Sequence, residues 1–403
     1  MEQGTNSERR YDLDWLRVIL FGLLIFYHVG MFYTSWDWHV KSIYASESIE
    51  PLMKLMNPWR LSFLFLISGF AIRYAIDKQK LIKFTVKRSI LLLVPIIFCI
   101  HTIIAPQSWL ELLENGEIAS GFWEFYPQYL EGSIDKYSII IPTWNHLWYV
   151  VYLFVYTLLL IPVAWPLSSL MNGYGKKVMR KCLDSRLGVL WVMLIPIIPF
   201  FISKLILKPI YPSTHALVDD WANHSLYFSI FIFGFCVAKD TYFWKSIYKS
   251  LAPALTLALS LATVSCVVWY LESQNYWSYS YDITEFLSER MRKTAYAWFS
   301  IVALLSLAQR WLNKPSKTLS YMTEAIFPWY ILHQTLIVMI GFWLTRQGLS
   351  VYVESSILIV LTFISCFLIN EYCIRRWNWI RPLFGLKINK KEKYTQYHNQ
   401  SAK

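Results

Sequence analysis

The sequence has few charged residues. Aspartate, glutamate, lysine and arginine make up 16% of its 403 residues, hydrophobic residues make up 56%, and the mean hydropathy is +0.37. Soluble domains carry charge on about 25% of their residues. The composition therefore excludes an ordinary soluble globular protein and predicts an all-α polytopic protein in contact with the lipid bilayer.

Cysteine is also scarce. None of the six cysteines has the spacing of a zinc motif or of a disulfide framework, and most lie in or beside apolar segments. We therefore expect reduced, inert thiols and no bound metal.

The excess of basic residues has an ordinary explanation. Nucleic-acid binding would account for the formal net charge of +12. A helical membrane protein, however, concentrates lysine and arginine in its cytosolic loops, and that tendency is sufficient here. We expect no nucleic-acid partner.

Ten stretches are apolar enough, and about long enough, to cross a hydrocarbon layer of ~30 Å. The sixth is short, and two prolines predict a kink in the fifth. The ten stretches cover residues 14–34, 57–76, 88–106, 146–167, 187–207, 225–239, 251–271, 291–312, 321–345 and 352–373.

The loops between these stretches alternate in charge. Loops near residues 78–87, 176–186, 245–249 and 314–317 are basic, whereas those over 106–145 and 272–289 are acidic. Since basic loops remain in the cytosol, both termini are predicted to be cytosolic. We expect one transmembrane domain over 1–385 and a basic cytosolic tail over 386–403. The first stretch lacks an A-x-A-like cleavage site and is predicted to be a retained helix.

The first apolar stretch contains an ionisable stripe. At 100° per residue, Arg17 and His28 point within about 20° of each other, and Asp14 lies about 40° from His28. Intramembrane ionisable groups are expensive and mark function by default. This stripe is therefore the predicted catalytic site.

The same residues carry a family resemblance. Asp14-Trp15-Leu16-Arg17 followed by His28 resembles the D-x-L-R and R-x10-H pattern of the acyltransferase 3 family, integral membrane enzymes that O-acylate sugars outside the cytosol. Within that family the sequence is most similar to the glucan biosynthesis protein C branch, which is associated with succinylation of periplasmic glucans. Residues 66–70 resemble the S-G-F segment of the family, and Phe84 with Arg88, followed by Pro95, resembles its F-x-x-x-R…P segment. The stretches at 144–149, 327–334 and 374–385 carry the further likeness to this branch.

One position departs from the family pattern. The family often has a second arginine three residues beyond the one that matches Arg88, and here that position is Leu91. Either Lys87 or another cation takes its place, or the donor is handled differently.

The resemblance implies a reaction. An acyl group, succinyl or acetyl, is moved from cytosolic acyl-CoA to a hydroxyl of a periplasmic or cell-surface glycan, by a multi-pass protein of the bacterial inner membrane.

The two ends of the stripe are predicted to have different functions. Arg17 precedes His28 by about 16 Å at ~1.5 Å per residue, so it lies nearer the cytosolic face. Together with Lys87 and Arg88 it is placed to hold the phosphates of an anionic donor. His28 is predicted either to deprotonate the sugar hydroxyl or to accept the acyl group itself. Asp14, about one turn from Arg17, is predicted to orient that arginine.

The acceptor side has weaker candidates. His146 and His333 are predicted to line it, although packing explains each about equally well. Arg60, at the outward end of the second stretch, and Trp148 complete the predicted substrate-binding set. The acidic loop over 106–145 is rich in aromatic residues, which suit either stacking on sugar faces or an interfacial hairpin.

Two other function classes stay open. A secondary transporter of a small anionic or sugar-like substrate also buries such groups, but it usually shows inverted repeats, which this sequence lacks. A purely structural or sensory membrane protein ranks third, because it has no need of a stripe from the cytosolic face to mid-membrane. The sequence leaves the oligomeric state open.

Overall fold

The computed structural model describes residues 9–274 and 283–389, which form helices and loops without a β-strand. Of the predicted tail over 386–403, residues 390–403 lie outside the described residues. The helices are α1 Tyr11–Tyr33, α2 Glu50–Ile76, α3 Leu81–His101, α4 Ala105–Glu114, α5 Phe122–Glu131, α6 Trp148–Leu170, α7 Lys176–Leu183, α8 Gly188–Leu194, α9 Ile197–Ile206, α10 Trp221–Val237, α11 Thr241–Lys249, α12 Leu251–Ser273, α13 Ile283–Trp311, α14 Lys317–Leu344 and α15 Val351–Leu368. The prediction of an all-α membrane protein is confirmed.

Eight helical segments of the described chain are long and apolar enough to cross a membrane, and they coincide with eight of the ten predicted stretches. The count becomes nine if α10 and α11 form one broken span, since they meet at 109°. The stretch predicted at 291–312 lies in α13, which is long enough but carries Arg290, Arg292 and Lys293 in its first half. Ten crossings and cytosolic termini remain predictions.

The break between α10 and α11 has a local cause. The side chain of Asp240 accepts a hydrogen bond from the backbone N–H of Phe243 at 2.7 Å and thereby caps α11. An N-cap residue has non-helical backbone angles, so a new helix starts there instead of α10 continuing.

The described chain divides into two compact units, each built from segments that are distant in sequence. The first unit comprises Met1–Leu20, Glu50–Phe84 and Val155–Ser320, and the second comprises Phe21–Ile49, Thr85–Phe154 and Tyr321–Lys403, within the described residues.

In the first unit, α2 and α10 approach closely at two glycines. A Cβ atom on Gly69 would lie 2.1 Å from the carbonyl oxygen of Phe231, and one on Gly234 would lie 2.4 Å from that of Leu66. Small residues allow helix backbones to pack this closely in membranes. Gly69 therefore has a packing role.

In the second unit, α4 and α5 fold over a small apolar core. Phe125 and Tyr129 are fully buried, whereas Trp123 is 80% exposed. Two aromatic rings of the acidic loop are therefore interior packing residues and have no face available for a sugar. The core consists of Ala105, Leu112, Phe125, Tyr129 and Ile141.

Candidate active site

Two histidines of the second unit, His28 on α1 and His333 on α14, are in direct contact. The Nδ1 atom of His28 lies 2.7 Å from the Nε2 atom of His333. Their rings are stacked, with centroids 4.9 Å apart and planes at 18°. His333 is completely buried, whereas His28 is only half-buried. The half-buried imidazole of His28 is thus in contact with the fully buried imidazole of His333.

The hydrogen bonds fix which nitrogen carries each proton. The Nδ1 atom of His333 lies 2.6 Å from the carbonyl oxygen of Tyr330. A carbonyl only accepts, so Nδ1 of His333 carries the proton and its Nε2 atom carries the lone pair of the neutral ring. The Nδ1–H of His28 must then donate to that lone pair. In the neutral pair, the lone pair of His28 is therefore on Nε2.

His146 is the third member of the histidine cluster, which we define as His28, His146 and His333. Its ring stands edge-on to that of His333, with centroids 5.3 Å apart at 84°. Its Nε2–H donates to the carbonyl oxygen of Ile331 at 3.0 Å, and its buried Nδ1 atom has no hydrogen-bond partner among the described residues. The hydroxyl of Tyr330 donates to the backbone carbonyl of His146. These bonds hold the ring of His146 beside that of His333.

A chain of amides continues from the residue after His333. The side-chain amide of Gln334 donates to Nε2 of His39 at 2.8 Å and to Oε1 of Gln107 at 3.0 Å. Gln107 in turn donates to the hydroxyl of Thr335 at 2.6 Å. Gln107, Gln334 and Thr335 are buried. Buried polar side chains with satisfied partners specify a unique packing, so this chain fixes the position of α14 next to the histidine cluster.

His39 is itself fixed by an acidic residue. Its Nδ1–H donates to a carboxylate oxygen of Glu111 at 2.5 Å. Glu111 lies on α4. Trp38, which precedes His39 in the chain, stacks its ring on that of His28, with the ring centroids 6.4 Å apart. We define Glu111, His39, Gln334 and Gln107 as the amide relay. The sequence did not predict these contacts, and its only signal for them is the position of Gln334 directly after His333.

Three of the predicted site residues, Asp14, Arg17 and Arg60, lie in the first unit. The carboxylate of Asp14 accepts hydrogen bonds from the guanidinium of Arg9 at 2.7 and 2.9 Å, a partner that the sequence did not suggest. Arg17 is half-buried on α1, and Arg60 on α2 is 3% exposed. Their roles stay predictions.

The remaining predicted residues, Lys87, Arg88 and Trp148, lie in the second unit. Lys87 is exposed and Arg88 is half-buried, both on α3. Trp148 is buried with its ring edge-on to Tyr152, the centroids being 5.1 Å apart. This contact gives Trp148 a packing role.

A separate ion-pair network lies at the end of the second unit. Arg375 bonds Glu371 at 2.9 Å and Glu324 at 3.2 Å, and Glu324 also accepts from Arg381. Burial opposes the charged form of Arg375, but the bond to Glu371 and the charge of Glu324 outweigh it, so the pKa of Arg375 is raised. These acids serve as partners of arginines. Across 9–274 and 283–389, no group of three or more His, Cys, Asp or Glu residues has an arrangement that could hold a metal ion.

Comparison with known proteins gives one family. The model of an acyltransferase domain, acyltransferase 3, matches residues 10–371. The chain is 24% identical over 344 residues to glucans biosynthesis protein C of Escherichia coli O139:H28 (strain E24377A / ETEC), which covers 84% of this chain and 85% of that protein. It is 25% identical over 353 residues to the protein of the same name from strain SMS-3-5, with the same two coverages. No solved structure matches the chain.

Proposed function

This chain belongs to the acyltransferase 3 family, and from that membership we propose that it is a membrane O-acyltransferase that moves an acyl group from a cytosolic thioester to a hydroxyl of a glycan outside the cytosol. The observation that carries the proposal is the hydrogen bond between His28 and His333. It orients the half-buried ring of His28 and leaves the lone pair on its Nε2 atom.

His28 acts through that lone pair. As the general base, Nε2 takes the proton of the sugar hydroxyl while the hydroxyl oxygen attacks the thioester carbonyl. The carbon–sulfur bond breaks, and the departing thiolate takes the proton from His28. Protonation of Nε2 leaves the bond from Nδ1–H to His333 intact, so the ring keeps its orientation throughout.

A second route uses the same nitrogen. If Nε2 attacks the thioester first, the carbon–sulfur bond breaks, the thiolate leaves and an acyl-imidazolium forms, which keeps its Nδ1–H. The sugar hydroxyl oxygen then attacks the acyl carbon, its proton passes to the thiolate, and Nε2 is released unprotonated. Both routes require an unprotonated Nε2, and the tautomer that His333 imposes supplies it.

Arg17, Lys87 and Arg88 hold the donor in this proposal. The donor is acyl-CoA, whose phosphates suit guanidinium and ammonium groups. Asp14, whose carboxylate is bonded to Arg9, is proposed to orient Arg17 from about one helical turn away, and His146 and Arg60 are proposed to line the acceptor side. We further propose the bacterial inner membrane as the location, with succinyl or acetyl as the acyl group. The relatives named glucans biosynthesis protein C support a glucan as the acceptor.

Mass spectrometry of cell-envelope glycans tests this function. A deletion strain is complemented with the wild-type gene, with His28→Ala or with His101→Ala, a control at an exposed histidine of α3 in the same unit. We expect acylated glycan with the wild type and the control and none with His28→Ala at equal protein level. The mass of the added group distinguishes succinyl from acetyl. Changed substrate flux with an unmodified glycan would instead identify a transporter.

A further inference from the structure

A group of basic side chains in the first unit lies where the predicted topology has few cations. Lys204 is in the last turn of α9, Lys208 follows that helix, and Arg290 and Lys293 lie near the start of α13. We define these four residues as the outer cationic cluster. Helical membrane proteins concentrate lysine and arginine on the cytosolic side. The predicted topology puts the end of α9 and the start of α13 on the outward side, so four cations there need an explanation.

Arg290 joins the two helices of this cluster. Its Nη1–H donates to the backbone carbonyl of Lys204 at 3.0 Å, which satisfies one of the carbonyls at the end of α9. Its guanidinium lies over the ring of Phe286, 4.2 Å from the centroid. Its Nε atom is buried and has no hydrogen-bond partner among the described residues. Helix capping therefore leaves part of this guanidinium unused.

The acids near the cluster are fewer than its cations. Lys204 is within electrostatic range of Lys208, Arg290 and Lys293. Burial lowers the pKa of Lys208, and Arg290 lowers it further, while the charge of Asp220 opposes both.

Two described acids beside the cluster, Asp220 and Glu289, already have partners. Asp220 is fully buried and accepts hydrogen bonds from the amide of Asn223 at 2.9 and 3.1 Å. Glu289 forms an ion pair with Lys293. Cations therefore outnumber acids in the described part of this region. Lys204, Lys208 and Arg290 are half-buried, where like charges repel each other more strongly than at an exposed position such as Lys293.

From this arrangement we infer that the outer cationic cluster binds one anionic group, a phosphate or a carboxylate, on a ligand at the outward face of the membrane. A guanidinium fork and nearby ammonium groups are the combination that recognises such oxyanions. The anion is either a substituent of the acceptor glycan or the headgroup of an anionic lipid. The glycan source rests on the function proposed above, whereas the lipid source does not.

Binding is tested on the purified full chain in nanodiscs, without acyl donor. The probes are a carboxymethylated β-glucan, an unsubstituted β-glucan of the same length, and phosphatidylglycerol added to phosphatidylcholine nanodiscs. The variant is Lys208→Gln/Lys293→Gln, which keeps Arg290 and its bond to α9. The control is Lys245→Gln/Lys249→Gln on α11 of the same unit, and thermal melting verifies that both are folded.

We expect the wild type and the control to prefer one anionic probe over its neutral counterpart, and the variant to bind that probe about tenfold more weakly, equivalent to ~1.4 kcal/mol. The preference should also decline as salt is added. A preference for the carboxymethylated glucan identifies the glycan as the source, and retention of phosphatidylglycerol in native mass spectra identifies the lipid. Equal binding of charged and neutral probes, or equal losses in variant and control, would overturn the inference. Because no donor is present, neither result bears on acyl transfer.

Discussion

The Nδ1 atom of His28 and the Nε2 atom of His333 lie 2.7 Å apart although the two residues are separated by 305 positions in the chain. The tautomer of the pair is set at its far end, by the bond from His333 to the carbonyl oxygen of Tyr330. A backbone carbonyl here does what a carboxylate does in the Ser-His-Asp triad: it fixes which nitrogen of the next ring is protonated. In the proposed mechanism, the protonation pattern of His28 is therefore set by a residue that need not touch the substrate.

Replacing His333 should separate its acceptor function from its packing. His333→Phe keeps an aromatic ring next to His28 but removes the lone pair that accepts from Nδ1–H. We expect acyl transfer to fall by about 10²-fold or more, within the range of acid–base contributions. His333→Gln keeps an oxygen acceptor and should retain more activity than His333→Phe. Turnover of purified protein gives the comparison, and equal activity of the two variants would contradict it.

The amide relay predicts a smaller effect at Glu111. In Glu111→Gln the charged partner of His39 is lost, so His39 and Gln334 are held less firmly and α14 is less well placed. We expect turnover to fall about tenfold, which corresponds to ~1.4 kcal/mol. The matched control is Glu114→Gln on the same helix, where the native carboxylate bonds Arg346 at 2.6 Å. If both variants lose the same activity, the relay has no special role.

Arg17 tests the donor side of the proposal. Arg17→Ala should raise the KM for acyl-CoA, because a charged contact to the donor is removed, while the protein stays folded. Arg17→Lys keeps the charge without the bidentate geometry and should be intermediate. Unchanged donor affinity and turnover in Arg17→Ala would refute a donor-binding role.

The helix contact at Gly69 predicts a stability effect that is independent of activity. Gly69→Ala puts a methyl group against the carbonyl of Phe231, and we expect a loss of about 1–3 kcal/mol in the free energy of unfolding. Gly22→Ala on α1 has no atom within 4 Å of the new Cβ and should be neutral or slightly stabilising. Thermal melting in detergent compares the two variants. Similar melting temperatures for both would show that α2 and α10 can separate.

The fold and the site differ in how far the sequence predicted them. Eight apolar stretches became helices that can span a membrane, because hydropathy depends on residues that are adjacent in the chain. α13 was harder to interpret, since its first half is cationic while Trp298 and Val302 further along are buried. A helix whose polar groups face other helices has a low hydropathy even where it is packed inside a protein.

The sequence places His28 on a helical stripe, but it does not reveal that His333 is its hydrogen-bond partner. His333 was predicted only as a candidate for the acceptor side, since it has no charged residue within one helical turn and periodicity along one helix carries no information about another. His39 and Gln107 were missed for the same reason. Their hydrogen bonds to Gln334 join residues that are 295 and 227 positions apart in the chain.

Turnover of the purified protein tests the central claim most directly. Proteoliposomes are supplied with labelled acyl-CoA outside and a glucan acceptor, and acyl transfer is measured for the wild type, His28→Gln and His101→Gln. The account predicts transfer by the wild type and by the His101 control, and a loss of about 10²–10⁴-fold in His28→Gln with donor binding unchanged. Wild-type turnover in folded His28→Gln would contradict it.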